Sequence, residues 1–256
     1  MTQPESKKLI AIFYTDHENK WSHPHGTFVT MVENLLDQVG TAEYRVFDIY
    51  GGDIPKPSDL LRAKGYAGIF ITGSRYDSYD DNTEWVVRLR QLLSEILFCE
   101  DDSKYPPVVG FCFGHQVVAK SLGAKVGRNP HGFEGGVTVV DLNEEGKRLF
   151  EGRKSLNLSE LHNDTVLDLP QGYVNWGATS KSAIQGLYKP KRVLTFQGHP
   201  EFTSAVVDKG VTHMVDDHLC DVSEDELSLI RERTTQLNND GVYAASVAWR
   251  LISGEI

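Results

Sequence analysis

The segment from Gly110 to Gln116 constrains the fold of this chain more than any other feature. It places Cys112 between two glycines, at the end of the apolar run 107–109 and just before a segment with helical patterning. This layout is typical of a strand, a tight turn that carries a nucleophile, and a helix. Glycines on both sides allow unusual backbone angles in the turn, and the helix N-terminus favours the thiolate form of the cysteine. The segment alone also fits a buried structural cysteine, so both interpretations stay open at this point.

Short apolar runs alternate with longer helix-patterned stretches through the first half of the chain. That alternation is typical of βαβ units around a parallel sheet. It predicts strands at 9–14, 44–50, 68–72 and just before Cys112, and helices at about 25–38, 84–97 and 115–122. Beyond these, short strands with short joins at 135–142, 173–179, 184–189 and 192–197 predict a mixed or antiparallel extension. Helices close the chain, one with a capping box at Ser223 and Glu226 and a last one at 243–252.

The charge balance and the cysteine count argue against several classes of protein. Lys and Arg number 26 against 36 Asp and Glu, a formal net charge of -10, which disfavours binding to nucleic acids or anionic membranes. Cys99, Cys112 and Cys220 are odd in number and widely spaced, which fits neither a disulfide framework nor a zinc site and indicates a reducing compartment. The N-terminus lacks the apolar core of a signal peptide, and no apolar run reaches the roughly 20 residues that span a bilayer. We expect a cytoplasmic protein, or one that is also nuclear, that needs no metal and no organic cofactor.

A second polar segment, from Gly198 to Glu201, follows the apolar run 193–196. A thiolate nucleophile needs a proton acceptor, and that acceptor needs a third group to fix its orientation and to stabilise its charged form. In an extended segment, residues two apart point to the same side, so His199 and Glu201 can share one face. We therefore predict Cys112 as the nucleophile, His199 as general base and acid, and Glu201 as the orienting carboxylate. An exposed polar turn would explain the histidine and glutamate alone, but not their coincidence with the cysteine motif.

The two motifs together resemble the class I glutamine amidotransferase family, whose glutaminase site is formed by cysteine, histidine and glutamate. The resemblance rests on Gly-x-Cys-x-Gly-His-Gln at 110–116 followed by Gly-His-Pro-Glu at 198–201, and it covers most of 9–205. The segment 71–77 is similar to a stand-alone branch that includes plant γ-glutamyl peptidases. The resemblance implies a flavodoxin-like α/β three-layer sandwich with a mostly parallel central sheet and a small mixed extension. We expect a single domain over 1–256, with a core at about 9–205 and C-terminal helices at about 206–254.

The resemblance also implies roles for residues outside the three predicted above. The geometry of the cysteine turn already makes the backbone N–H of Phe113, which follows the nucleophile, one expected oxyanion donor. By resemblance, the turn at Gly73 and Ser74 is expected to supply the second. Gln116 and His162 are expected to bind the substrate, with His162 in a polar loop that lines the glutamyl pocket. A surface position for the glutamine and an ordinary polar turn for the histidine would explain the same residues.

The activity implied by the resemblance is hydrolysis of a γ-glutamyl amide bond, in glutamine or in a γ-glutamyl peptide or conjugate, through a thioester on Cys112. Gly198 stands where the fused amidotransferases usually have an aromatic residue, so we expect a wider pocket there. We expect no acceptor domain in the remaining residues, so a glutaminase that donates ammonia would need a separate synthase as its partner. A third interpretation is a catalytically silent regulatory or binding protein of the same fold, which the intact Cys112, His199 and Glu201 argue against. The expected partner is a small γ-glutamyl molecule, with no nucleic acid and no membrane.

Overall fold

The computed structural model describes residues 7–17 and 20–256, in which strands and helices alternate through the first half of the chain. The strands are β1 (Lys8–Tyr14), β2 (Ala42–Asp48), β3 (Tyr66–Ile71), β4 (Val108–Phe111), β5 (Val126–Arg128), β6 (Glu134–Leu142), β7 (Ser155–His162), β8 (Asp164–Val166), β9 (Val174–Asn175), β10 (Gly177–Ala178), β11 (Leu187–Lys189) and β12 (Val193–Phe196). The helices are α1 (Phe28–Leu36), α2 (Glu84–Leu97), α3 (Phe113–Ser121), α4 (Glu144–Leu149), α5 (Ser204–Asp216), α6 (Glu224–Gln236) and α7 (Gly241–Ile252). Within the described ranges, no helix is long and apolar enough to cross a membrane.

A seven-stranded sheet in the order β2-β1-β3-β4-β12-β11-β9 forms the centre of the molecule. The strands from β2 to β12 in this order pair in parallel, whereas β11 runs antiparallel to both of its neighbours. This is the doubly wound order of flavodoxin-like folds. Strands β10, β6 and β7 form a separate antiparallel sheet, and β5 pairs with β8. The predicted fold class, a mostly parallel sheet with an antiparallel extension, is confirmed.

Side chains of the parallel strands alternate between two apolar layers, one on each face of the sheet. Ala11 and Phe13 of β1 belong to the layer that contains α2 and α3, whereas Ile10 and Ile12 belong to the layer that contains α1 and α7. Full burial of a phenylalanine or isoleucine contributes about 1.5–3 kcal/mol. Because both faces of the sheet are covered, its inner strands are mostly apolar, and this is why the sequence shows them as short apolar runs.

The carboxyl ends of β3, β4 and β12 lie side by side, because these strands are parallel neighbours. Their register pairs Phe111 with Phe196, so β4 and β12 end at the same level. Loops that begin at residues 72, 112 and 197 therefore meet at one edge of the sheet. In doubly wound folds this edge is where ligands bind.

Several elements differ from the predicted ones. The first helix begins at Phe28 rather than near residue 25, because Thr27 caps it by accepting a hydrogen bond from the Thr30 N–H at 3.2 Å. The strand predicted at 173–179 is divided into β9 and β10, which belong to different sheets. Elements α4, β5, β7 and β8 have no predicted counterpart, and His162 ends β7 instead of lying in a polar loop. At the start of α6 only half of the predicted capping box is present: the Ser223 side chain accepts from the N–H of residue 226, whereas the Glu226 carboxylate pairs with Lys181.

Candidate active site

Cys112 lies at the tip of the turn between β4 and α3, with φ 48° and ψ -102°. Such a conformation costs a non-glycine residue about 1–3 kcal/mol and persists only where the surroundings enforce it. Close packing of α3 on the sheet does so: a methyl group on Gly110 would lie 2.6 Å from the Gly114 carbonyl carbon, and one on Gly114 would lie 2.5 Å from Ile71 O. The Cys112 N–H also donates to Phe196 O at 2.9 Å, which ties the turn to β12. The thiol therefore has a fixed position at the N-terminus of α3.

His199 lies in the turn that follows β12, and both it and Glu201 are buried. Its Nδ1 lies 2.7 Å from Glu201 Oε1, and its ring stacks on Phe202 with the ring centroids 4.0 Å apart. The segment is not extended as predicted, since the Phe202 N–H donates back to His199 O at 3.2 Å. The histidine and the glutamate are thus brought together by a turn rather than by strand alternation.

The Glu201 carboxylate and the Cys112 sulfur both act on the protonation of His199. Burial by itself lowers the pKa of a histidine. Here the carboxylate and the sulfur, which is a hydrogen-bond partner of the imidazole, outweigh burial and raise the pKa of His199 to about 10. At neutral pH the imidazole is therefore charged. The site holds a proton that can be donated to a leaving group.

The backbone groups predicted as oxyanion donors lie close to this pair. Phe113 is the first residue of α3, so its N–H belongs to those that a helix N-terminus leaves without an intrahelical partner. Gly73 packs against the imidazole, because a methyl group there would lie 2.7 Å from His199 Cε1. The Gly73 carbonyl accepts from Thr15 Oγ1 at 3.1 Å. Since the C=O and N–H of a trans peptide point in opposite directions, the Ser74 N–H points away from that threonine.

Cys112 and His199 open into a cleft of about 430 Å³, part of whose wall is polar. Two ion pairs lie on this polar wall. The guanidinium Nε of Arg75 lies 3.2 Å from Asp16 Oδ1, and Nη1 of Arg128 lies 3.2 Å from Asp164 Oδ1. The polar wall therefore offers groups of both signs to a ligand.

The rest of the cleft is an apolar wall that begins at the imidazole. Phe202 stacks on His199, and Phe28 tilts against it with the centroids 6.4 Å apart. Trp21 contacts both phenylalanine rings, at centroid distances of 6.1 Å to Phe28 and 6.0 Å to Phe202. The side chains of the apolar wall are Trp21, Phe28, Leu161, Phe202, Met214 and Leu219. Cys112 and His199 thus lie where the two walls meet.

Gln116 and His162, the two predicted substrate contacts, both line the cleft but are engaged with protein groups. The Gln116 amide nitrogen donates to Asp164 O at 3.0 Å and to Gln197 Oε1 at 3.2 Å. His162 Nδ1 lies 2.8 Å from the same Asp164 carbonyl, and its Nε2 lies 3.1 Å from Glu160 Oε2. Both ring nitrogens of the histidine therefore face oxygen atoms of the protein. A direct hydrogen bond from either residue to the substrate stays a prediction.

The cleft is not widened at Gly198, contrary to expectation, because the carboxyl group of Glu160 occupies that space. A methyl group on Gly198 would lie 2.6 Å from Glu160 Oε1. Glu160 was missed because β7 itself was not predicted. The feature of the sequence that could have indicated it is the two-residue period of that strand, which places Glu160 on the same inward face as Leu156 and Leu158.

Comparisons with known proteins agree with this fold and with the two motifs. The sequence matches the family described as glutamine amidotransferase class-I over residues 27–217. The chain therefore belongs to the class I glutamine amidotransferase family. It is 46% identical over 256 residues to a putative glutamine amidotransferase of Saccharomyces cerevisiae, covering 97% of this chain and 99% of that protein. It is also 27% identical over 208 residues to gamma-glutamyl peptidase 4 of Arabidopsis thaliana, covering 79% of each chain.

A solved glutamine amidotransferase from Thermotoga maritima has the same fold. The TM-score is 0.70, and the superposition covers 95% of this chain and 98% of that chain at 20% sequence identity. At this identity the likeness concerns the fold alone.

Proposed function

We propose that this protein hydrolyses γ-glutamyl amide bonds through a γ-glutamyl thioester on Cys112. The observation that carries the proposal is the buried series of sulfur, imidazole and carboxylate formed by Cys112, His199 and Glu201 at the carboxyl edge of the parallel sheet. Backbone strain of the kind found at Cys112 concentrates at functional sites. Family membership supports the same chemistry.

In the first step, the Cys112 thiolate attacks the γ-carbonyl carbon, and the C–N bond to the leaving amine breaks. The His199 imidazolium donates its proton to the departing nitrogen, so that an amine leaves rather than an amide anion. Glu201 holds Nδ1 of the imidazole, which directs Nε2 to the reacting atoms. The glutamate also stabilises the charged imidazole before the proton is given up.

The carbonyl oxygen becomes negatively charged as the tetrahedral intermediate forms. The Phe113 N–H and the turn at Gly73 and Ser74 are the proposed donors to this oxygen, and one such donor can contribute about 3–4 kcal/mol. Water then attacks the thioester, and the neutral His199 accepts a proton from it. The C–S bond breaks, glutamate is released, and the thiolate and imidazolium are restored.

The apolar wall favours substrates whose leaving group is larger than ammonia. Because His199 protonates the leaving nitrogen, substituents on that nitrogen lie on the His199 side of the cleft, where Trp21 and Phe28 are found. The polar wall suits the charged α-amino and α-carboxylate groups of the γ-glutamyl residue. Pockets of roughly 300–1,000 Å³ bury drug-sized ligands, so the cleft has room for a peptide or conjugate. The likeness to γ-glutamyl peptidases supports this substrate class.

The test is a panel of substrates measured on wild type, Cys112→Ser and Cys220→Ser. The panel contains glutamine, γ-glutamyl dipeptides with a small or an aromatic second residue, and glutathione. We expect wild type to release glutamate fastest from the aromatic dipeptide, and Cys112→Ser to lose at least about 10³-fold in turnover. The matched control is Cys220→Ser, which makes the same change at a half-buried cysteine that does not line the cleft. Its turnover should equal that of wild type.

The alternatives give different results on the same panel. Retained turnover in Cys112→Ser would contradict the proposal. A silent binding protein would turn over nothing, and its Cys112 would form no adduct with a glutamine-analogue electrophile at neutral pH. An ammonia donor would act on glutamine only, and its rate would rise when a separate synthase is added.

A further inference from the structure

A buried cluster of two glutamates and one histidine lies directly behind the predicted general base. It consists of Glu134 on β6 and of Glu160 and His162 on β7. All three are at least nine-tenths buried, and the mechanism proposed above gives no task to either glutamate. His162 Nε2 lies 3.1 Å from Glu160 Oε2 and 3.3 Å from Glu134 Oε2. The histidine thus compensates part of the negative charge, and its pKa is raised well above the usual value because the two carboxylates outweigh burial.

Glu160 differs from Glu134 because it also contacts the backbone next to His199. Its Oε1 atom has no hydrogen-bond donor within the described part of the chain, and it lies against Gly198, whose missing side chain leaves the room for it. A carboxylate oxygen without a donor is costly to bury, so a purely structural role leaves this arrangement unexplained.

Strand β7 also contacts the other residues of the turn that carries His199. The His199 N–H donates to Ser159 O at 2.7 Å, and Ser159 Oγ donates to Phe202 O at 3.1 Å. Ser159 and Glu160 therefore clasp the segment from Gly198 to Phe202 from one strand. Because Glu160 contacts Gly198, which is bonded to His199, a change of the Glu160 side chain shifts the backbone that carries the imidazole.

The geometry points to Glu160 as a positioning residue for His199. Its carboxyl group fills the space beside Gly198 and fixes the backbone that carries the imidazole, and its negative charge favours the imidazolium form. This inference rests on the proposed function, because it assigns His199 the role of proton donor. Glu160 itself does not line the cleft.

The charge of Glu160 depends on the groups that face it from each packed element. These are Glu134 of β6, His162 of β7, and His199 of the turn after β12. Burial raises the pKa of Glu160 to about 7, while both imidazoles act to lower it and Glu134 acts to raise it further. Above about pH 7 the carboxylate is therefore ionised and stabilises the charged His199.

The contact between Glu160 and Gly198 can be tested by a double-mutant cycle. Gly198→Ala introduces a methyl group against Glu160 Oε1, and a displacement of the imidazole by about 1 Å would cost about 10²-fold in kcat with KM nearly unchanged. Glu160→Ala alone should cost about tenfold. In the double variant the closest contact of the methyl group is removed and only the one with Ser159 O at 3.0 Å remains, so kcat should recover about tenfold relative to Gly198→Ala. A double variant whose loss equals the product of the two single losses would overturn the proposal.

Glu160→Gln separates charge from shape and does not depend on whether Gly198→Ala folds. The glutamine fills the same space without a charge, so the imidazolium is less stabilised and the pKa of His199 falls. The alkaline limb of kcat/KM, where activity is lost as His199 loses its proton, should move down by about one pH unit. The matched control is Glu144→Gln, at an exposed glutamate of α4 that pairs with Lys147, and its limb should not move. An unchanged limb in Glu160→Gln would contradict the electrostatic part of the proposal.

Alkylation of Cys112 by chloroacetamide at pH 7 reports on the imidazole without any substrate. Peptide mapping follows the rate of alkylation at Cys112. A displaced imidazole no longer stabilises the thiolate, so Gly198→Ala should slow this reaction. The double variant should restore its rate. This result would support the role of Glu160 even if no γ-glutamyl amide were a substrate. Equal alkylation rates in all four proteins of the cycle would overturn it, whatever the activity on γ-glutamyl amides.

Discussion

The two segments that meet at the candidate site are held in place in different ways. The cysteine turn, from Gly110 to Gly114, is held by its backbone: α3 touches the sheet at glycines, and Cys112 has a positive φ. The histidine turn, from Gly198 to Phe202, is held by side chains, namely Glu201 on Nδ1, the stacked Phe202 ring and residues of β7. A backbone-held turn admits one conformation. The contacts of a group that is held by side chains can be changed one at a time. The pKa of a proton donor can therefore be tuned in small steps.

The largest expected effect comes from adding a single methyl group to the cysteine turn. In Gly114→Ala the new Cβ would lie 2.5 Å from Ile71 O, so α3 must move away from β3. The thiol and the Phe113 N–H move with it, and we expect a loss of about 10³- to 10⁴-fold in kcat/KM. The free energy of unfolding should also fall by about 1–3 kcal/mol.

The control for this variant is Gly127→Ala, where the nearest atom to the new Cβ would be 3.8 Å away. Its activity and its urea unfolding midpoint should match those of wild type. Near-normal activity in Gly114→Ala would show that the cysteine turn is not held by its backbone.

A smaller loss is expected from Glu201→Gln, which tests the histidine turn. Without this carboxylate, the sulfur and the charge of Glu160 remain to oppose burial of the imidazole, so the pKa of His199 falls from about 10. The imidazolium is then lost at lower pH, and the alkaline limb of kcat/KM moves down. At pH 7 we expect kcat to fall about 10²-fold. An alkaline limb that stays in place would mean that Glu201 does not stabilise the charged imidazole.

The smallest expected effect is that of Phe202→Leu. The leucine keeps an apolar side chain beside His199 but removes the ring that stacks on it at 4.0 Å. We expect about a tenfold loss of kcat, since the imidazole keeps its carboxylate partner and loses only part of its packing. Phe98→Leu is the control, because Phe98 is 64% exposed, and its kcat should be unchanged. If Phe202→Leu also leaves kcat unchanged, ring stacking does not contribute to the orientation of the imidazole.

The same contrast explains what could be predicted from the sequence. The glycines and the apolar run that mark the cysteine turn all lie within residues 107–116, so a local pattern reveals them even though the turn also packs on β3 and β12. The parallel order of the sheet follows from alternating apolar runs in the same way. Glu201 is two residues from His199 and was predicted as its partner, although the turn that joins them was not.

What the sequence did not reveal is the support that comes from β7. Ser159 and Glu160 contact the histidine turn across about forty residues of chain, so no local pattern links them. Strand β7 mixes buried polar and apolar residues because it lies behind a charged site, and this blurs the alternation by which strands are recognised. The expectation of a wider pocket at Gly198 was wrong for the same reason, since the filling side chain belongs to an unpredicted strand.

The central claim, a γ-glutamyl thioester on Cys112, is tested most directly by trapping that thioester with hydroxylamine. Glutamine and a γ-glutamyl anilide are each hydrolysed in the presence of the same hydroxylamine concentration, and the γ-glutamyl hydroxamate and glutamate are quantified. A common acyl-enzyme predicts the same ratio of hydroxamate to glutamate for both substrates, because the leaving group has departed before partitioning occurs. Hydrolysis without hydroxamate, or a ratio that depends on the leaving group, would contradict the thioester mechanism.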